Sequence, residues 1–322
     1  MMANDKVEKQ LEGLKALRGA ALTEQAAALL KKSLADRVNL VVAKAAQICG
    51  ELNAANLLPD LKIAFERMFE AKDPQSWAKN ALAKTLKDLG VQESAVFLRG
   101  IRYVQMEPVW GGSEDTAATV RSTCAIGLTQ CNDIPRDDVL RHLVDSLNDR
   151  IGTVRMDAAR SLEQMGGREV LLLLRLKARV GDIDPRVTGE VLEALMQMEG
   201  QAALPFVAEF LKDTDDEVSD EAALALGASR LPAAFSMLKQ AWEERPSPVF
   251  LRAMSVSRLS EALDFLLKLL SEGRPRDAEE ALHALELQKA SEEIVKRVDQ
   301  AVAVRGDTKL QGIFRQRFQR EE

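Results

Sequence analysis

The feature that most constrains the fold is a short internal repeat in the middle of the chain. Segments that begin at Val120, Val154, Val187 and Val218 align with one another, at successive separations of 34, 33 and 31 residues. Small residues stand four positions after each valine, and leucines stand eight positions after it: Cys124, Ala158, Val191 and Ala222, then Leu128, Leu162, Leu195 and Leu226. This spacing keeps both sets on one helical face. A weaker fifth copy begins at Val249.

An aspartate stands five residues before each of the four aligned valines: Asp115, Asp149, Asp182 and Asp213. At the start of a helix, such a side chain accepts backbone N–H bonds and interacts favourably with the helix dipole. A second apolar-periodic run precedes each segment, so the predicted unit is a helical hairpin. Less regular pairs extend the pattern on both sides: 22–50, 56–90, 93–131, 260–285 and 291–318.

One helical hairpin cannot bury its apolar face alone, so neighbouring hairpins must stack. We therefore predict an all-α fold, a right-handed α-α superhelix of about nine helical hairpins. It is expected to span 1–322 as a single α-solenoid, with the clearest repeats over 115–227 and irregular repeats at both ends.

The composition agrees with a folded helical chain, since 46% of the 322 residues are hydrophobic and only 4% are aromatic. The charged N-terminal stretch "MMANDKVEKQLEGLKALRGA" lacks the apolar core of a signal peptide. The run "VLLLLRLKARV" is broken by charges well short of the roughly 20 residues that cross a bilayer. We expect a cytoplasmic protein with no membrane span, present as a monomer.

Few residues suggest catalysis. The three cysteines, Cys49, Cys124 and Cys131, are an odd number without dense spacing, which favours buried thiols in a reducing compartment. His142 and His283 are far apart in sequence, and no nucleophile, zinc or phosphate-loop motif accompanies them. The sequence therefore predicts no catalytic residues, no metal site and no cofactor, and hence a protein that is not an enzyme.

Two segments, "DRIGTVRMDAARSLEQMG" and "DTDDEVSDEAALALG", resemble the second-helix motif of the HEAT-repeat family, including its bacterial HEAT-like or bilin-lyase-like members. The resemblance implies a right-handed α-solenoid and no particular activity. In that family, aspartates and arginines often pair between adjacent repeats as a ladder. The positions that carry it over are Asp115 with Arg121 and Asp149 with Arg155, whereas Thr188 and Ser219 stand at the arginine position of the later copies.

The stretch "MEPVWGG" interrupts the regular pattern and is interpreted as a loop insertion at 106–112, with Ser113 as the N-cap of the next helix. The candidate partner-binding residues are Met106, Pro108, Trp110, Gly111 and Gly112. Two interpretations of Trp110 remain open. Either it packs over apolar surface of the next hairpin, or it is an exposed aromatic anchor for a partner.

The function predicted from these features is that of a scaffold or adaptor that binds a protein partner on the solenoid surface. A net charge of −6 and a pI near 5.3 make nucleic acid an unfavoured ligand. One alternative is a HEAT-like alkylpurine DNA glycosylase or another nucleic-acid-binding protein, with Trp110, Asp115 and Arg150 or Arg155 at the site. A bilin-lyase-like protein is the second alternative.

Overall fold

The structure is a computed structural model that describes the backbone of residues 2–318 and the side chains of residues 6–318. The all-α prediction is confirmed: the described chain consists of helices joined by short turns, with one small β-hairpin. No helix in residues 2–318 has the combination of length and apolar character that a bilayer crossing requires. Two compact units divide the chain, Met1–Met165 and Gly166–Glu322, here called unit 1 and unit 2.

Unit 1 begins with helix α1 (Met2–Lys15) and continues with four helical hairpins. The hairpins are α2 (Glu24–Leu34) with α3 (Asn39–Glu51), α4 (Leu58–Glu70) with α5 (Trp77–Asp88), α6 (Ser94–Gly100) with α7 (Ala118–Leu128), and α8 (Arg136–Ser146) with α9 (Gly152–Met165). The second helices pack in order, α3 on α5, α5 on α7 and α7 on α9. Each hairpin therefore completes the core of its neighbour, as the repeat predicts.

Unit 2 contains five further hairpins built in the same way. They are α10 (Arg168–Val180) with α11 (Pro185–Glu199), α12 (Leu204–Glu209) with α13 (Asp216–Ala228), α14 (Pro232–Glu244) with α15 (Pro248–Ser257), α16 (Ser260–Glu272) with α17 (Pro275–Leu285), and α18 (Glu292–Arg305) with α19 (Thr308–Phe318). Here too the second helices contact one another in chain order, from α11 to α19. The described residues thus contain nine helical hairpins, in agreement with the predicted number.

The aligned positions of the repeat form the core of these second helices. The small residues and the leucines predicted to share a face are all buried, with 0% exposure: Cys124, Ala158, Val191 and Ala222, and Leu128, Leu162, Leu195 and Leu226. Of the four aligned valines, only Val218 is partly exposed. The helical register predicted from the sequence is therefore correct.

The four repeat aspartates share one local role. Each lies three residues before the first residue of its helix, and its Oδ1 accepts the N–H group two residues later. The bonds run from Ala117 to Asp115, Ile151 to Asp149, Asp184 to Asp182 and Asp215 to Asp213, at 3.1, 2.9, 2.9 and 3.0 Å. This Asx-turn sets the direction in which the chain enters the second helix of each hairpin.

A recurring arginine caps the first helix of the preceding hairpin. Arg67 donates to the carbonyl groups of Leu34 and Asp36, at 2.7 and 2.8 Å. Arg305 repeats the arrangement in unit 2, where its Nη1 donates to the carbonyl of Gly273 at 2.8 Å. Carbonyl groups at a helix C-terminus have no partner within the helix, so these arginines satisfy them and join one hairpin to the next.

The predicted loop insertion at 106–112 is instead part of a β-hairpin. Strand β1 (Met106–Val109) pairs antiparallel with β2 (Gly112–Asp115), and Trp110 and Gly111 form the turn. Gly111 has a φ of +88°, which favours glycine and permits the tight reversal. Ser113 is therefore not an N-cap: it lies in β2 opposite Pro108, and α7 begins only at Ala118.

Candidate functional site

The β-hairpin carries the most exposed aromatic residue of the described chain. The Trp110 side chain is fully exposed, at 102% of its reference accessibility, so the packed interpretation of Trp110 is wrong. Met106 and Val109 of β1 are also exposed. Pro108, Gly111 and Gly112, the remaining candidate partner-binding residues, are exposed as well. The structure thus brings all the predicted candidates together on one projecting hairpin.

One side of the hairpin is fastened to the turn between α4 and α5. The Glu107 carboxylate accepts the backbone N–H of Gln75 with both oxygens, at 2.9 and 3.0 Å, and the Gln75 Nε2 at 3.1 Å. The Gln105 side-chain amide donates to the carbonyl of Asp73 at 2.7 Å. The Gln75 N–H bond is the leading cause that lowers the pKa of Glu107, so this carboxylate is charged near neutral pH.

The same turn is conformationally strained. Gln75 and Ser76 adopt left-handed φ values of 58° and 51°, which side chains other than glycine rarely take. Such residues persist where their surroundings fix them. Glu107 holds the Gln75 N–H, and the Ser76 hydroxyl lies 3.1 Å from the hydroxyl of Thr116. The hairpin and the turn therefore hold each other in place.

Beneath this turn lies a buried ion pair that the sequence did not reveal. Lys79 Nζ is 3.1 Å from Asp73 Oδ2, and both side chains are almost completely buried. The Asp73 carboxylate also accepts the N–H groups of Ala78 and Lys79, and Lys79 donates to the carbonyl of Met68. Each buried charge is thus compensated. The pairing depends on the fold of the α4–α5 connection, which brings the two side chains together.

The other side of the hairpin is fixed by the Asp–Arg positions. Arg121 Nη1 lies 2.8 Å from Asp115 Oδ2, and its Nε and Nη2 donate to the two carboxylate oxygens of Asp149 at 2.7 and 3.0 Å. It also donates to the carbonyl of Tyr103 at 2.9 Å. Burial lowers the pKa of Arg121, but the bonds and charges of Asp149 and Asp115 outweigh it and raise the pKa above its ordinary value.

Beyond Arg121, different residues stand at the arginine position of the successive repeats. Arg155 is buried and donates to the carbonyl of Asp149 at 2.7 Å. At the equivalent position of a later repeat, Ser219 is fully buried, and Arg245 from the next hairpin donates to its hydroxyl at 2.6 Å. An arginine from the next hairpin thus contacts the position where Arg121 and Arg155 stand in the earlier repeats. The alignment of the repeats does not show this contact, because Arg245 lies outside the aligned segment.

The residues suggested for a glycosylase site do not form an open acidic pocket. Asp115 is buried and held by Arg121, and Trp110 lies at the far end of β2 from it. Arg150 is exposed, and its Nη1 lies 4.0 Å from the sulfur of Met106. The carboxylate therefore serves to fix the hairpin, and the tryptophan is the exposed element.

The described residues also show how the remaining titratable groups are arranged. Within residues 6–318, no three His, Cys, Asp or Glu side chains converge as metal ligands do. His142 lies on α8 and His283 on α17, in different units. The three thiols are free, and Cys49 and Cys124 are buried.

Stacked two-helix units with a shared core define this chain as a helical-repeat protein. Residues 172–257 match the family profile described as HEAT repeats. The predicted resemblance is confirmed over these residues. No protein with curated annotation matches the sequence.

Two solved structures show a low overall similarity to this chain. Human deoxyhypusine hydroxylase in complex with glycerol is 20% identical, with 78% of this chain and 89% of that chain covered and a TM-score of 0.30. An engineered protein is 16% identical, with coverage of 90% and 93% and a TM-score of 0.19. The name of the first of these is that of an enzyme, so the prediction that this chain is not an enzyme is not kept. We correct that prediction, and assign no activity from a likeness of this size.

Proposed function

We propose that this protein is a HEAT-repeat scaffold that binds a protein partner, with the β-hairpin Met106–Asp115 as the main contact. The observation that carries the proposal is the fully exposed indole of Trp110 at the tip of this hairpin. A single exposed apolar side chain is common on protein surfaces and does not by itself indicate a binding site. Here Met106 and Val109 stand beside the tryptophan on the same short hairpin and enlarge the apolar surface.

The way the hairpin is mounted supports a binding role. Glu107 attaches it to Gln75 on one side, and Asp115 attaches it to Arg121 on the other. A projecting element whose root is fixed loses little conformational freedom on binding, so more of the contact energy appears as affinity. Tryptophan is also among the residues that most often dominate interface energies, at roughly 2 kcal/mol or more each.

We place this function in a reducing compartment such as the cytoplasm. The support is the cysteine chemistry: Cys49, Cys124 and Cys131 are all free thiols in the folded chain.

The test uses a variant that keeps the hairpin and removes the indole. Trp110→Asn keeps Gly111, which supplies the positive φ of the two-residue turn. The control is Ile63→Ala, which removes another exposed apolar side chain of unit 1 outside the hairpin. We expect both variants to melt within about 2 °C of the wild type, because neither change affects the core.

Partner retention is then measured by affinity purification of the tagged chains from the source cells, with quantitative mass spectrometry. Proteins retained by the wild type and by Ile63→Ala should be lost by at least about tenfold with Trp110→Asn, as expected for an interface hot spot. Equal retention by all three chains would refute the role of the hairpin. A melting temperature lowered by many degrees in Trp110→Asn would show that the indole is structural.

A further inference from the structure

Unit 1 contains an open groove of about 820 Å³, separate from the β-hairpin, over its row of second helices. Helices α3 and α5 supply most of it, and α1 and α7 contribute at the sides. The lining residues recur every three or four positions along both α3 and α5, so one face of each helix borders the groove along its length. At 1.5 Å per residue, this gives a length of about 18 Å.

One end of the groove is apolar. Trp77, the first residue of α5, is 49% exposed, and Leu40 of α3 is 37% exposed. Ala43 and Ala81 lie beside them and add little bulk. An exposed indole bordered by small side chains can accept an apolar side chain of a ligand against its ring.

The charged side chains that line the groove have a net positive charge once their ion pairs are taken into account. The two acidic residues of the lining are already paired: Glu51 with Arg18 at 2.8 Å, and Asp88 with Lys84 and Lys87 at 2.5 and 2.6 Å. In contrast, Lys15 and Lys44 of the lining form no ion pair with any described residue. Lys44 has only a 3.5 Å contact with the Gln47 amide oxygen.

We propose that this groove binds an acidic segment of a partner protein. Carboxylates of the segment face Lys15 and Lys44, and an apolar side chain rests on Trp77. Charge complementarity favours an acidic occupant, because the unpaired lysines make this groove positive. The chain as a whole has a net charge of −6, so the groove differs in sign from the rest of the protein. A length of about 18 Å fits roughly six residues of extended chain. The inference rests on the scaffold function but does not use the hairpin.

The experiment measures peptide binding to the full chain by fluorescence anisotropy. The probe is a fluorescein-labelled peptide of six glutamates with two interspersed leucines, and the control peptide carries lysines in place of the glutamates. We expect saturable binding of the acidic probe at low salt, at least about tenfold tighter than that of the basic peptide. Affinity should fall as salt is added, because the paired charges are exposed.

Variants then locate the site. The double variant Lys15→Glu/Lys44→Glu should bind the acidic probe at least about tenfold more weakly, and Trp77→Ala should also weaken it. Lys296→Glu reverses an exposed lysine of unit 2 and should leave the affinity within about twofold. Circular dichroism checks that all variants fold, and Lys15→Gln/Lys44→Gln provides a milder change of charge.

Either of two results would overturn the proposal: no saturable binding of the acidic probe, or the same affinity for the double reversal as for Lys296→Glu. Failure here is distinguishable from failure of the proposed function. Trp110→Asn should bind the acidic probe normally, since Trp110 does not line the groove. Partner retention that depends on Trp110 would conversely stand even if the groove binds no peptide.

Discussion

The buried Arg121 offers the sharpest test of how the hairpin is held. Its side chain is only 2% exposed and faces two carboxylates, those of Asp115 and Asp149. Replacing it by alanine leaves both acids in place without their cation. Removing one partner of a buried ion pair typically costs about 3–5 kcal/mol, because an uncompensated charge remains in a poorly solvated site.

The structure suggests the middle of that range for Arg121→Ala. Loss of the bond to the Tyr103 carbonyl adds to the cost, since a buried acceptor is left unpaired. Against this, Asp115 keeps the N–H groups of Gln105 and Ala117, and Asp149 keeps that of Ile151. These remaining donors partly stabilise the charged carboxylates. We expect the free energy of unfolding of unit 1 to fall by about 4 kcal/mol.

The assay is urea unfolding at pH 7, followed by far-ultraviolet circular dichroism and by tryptophan fluorescence. Two probes are needed because repeat arrays can unfold in more than one step. The matched control is Arg102→Ala, which breaks an exposed ion pair with Asp145 and should cost less than about 1 kcal/mol. The double variant Arg121→Ala/Asp149→Asn should recover part of the loss, since one stranded charge is removed.

A loss below about 1 kcal/mol for Arg121→Ala, equal to that of Arg102→Ala, would refute the reasoning. It would mean that Asp115 and Asp149 are solvated well enough to need no cation. Strictly additive effects in the double variant would also show that Arg121 and Asp149 do not interact.

Three further predictions concern the core. Leu195→Ala should cost about 2–5 kcal/mol, because the side chain is fully buried, and an unchanged urea midpoint would show that the repeat register is wrong. Gly127→Ala should cost about 1–3 kcal/mol, because an added Cβ would lie 2.4 Å from the ring of Phe97; an unchanged thermal midpoint would contradict that contact. Burial raises the pKa of Cys49 and Cys124 to about 12 from an ordinary value of 9.0, so the folded state retains protons that the unfolded state releases. The stability that these protonated thiols contribute is complete below pH 9 and is lost as the pH rises towards 12. The double variant Cys49→Ala/Cys124→Ala should therefore show a smaller decrease in urea midpoint between pH 8 and 11 than the wild type. An equally steep decrease in the variant would refute the assignment.

Much of the fold follows from local sequence pattern. The repeat of valine, small residue and leucine predicts which face of each second helix is buried, and Leu162 and Leu195 are indeed fully buried. The aspartate before each helix predicts a turn whose carboxylate accepts a backbone N–H, as Asp149 and Asp213 do. These features depend on residues close in sequence, so a single chain segment contains the information.

The candidate site was predicted less well. The sequence identified the interruption at 106–112 but not its pairing as a β-hairpin. The pairing of the strands is set by the turn and by the contacts of the hairpin with the α4–α5 turn and with Arg121. It also left open whether Trp110 is packed or exposed. That depends on where the neighbouring hairpin lies relative to the indole, which no local pattern records.

The sequence by itself determined the helical-repeat architecture, the buried helix faces and the position of the irregular segment. Three contacts were decided only by the tertiary structure. Glu107 accepts the N–H of Gln75, which has a left-handed conformation, and Asp73 pairs with Lys79 beneath that turn. Arg245 donates to the hydroxyl of Ser219. The reason is physical. Helical periodicity is encoded every three or four residues, whereas a buried charge finds its partner among whatever groups the stacked hairpins bring within hydrogen-bond distance.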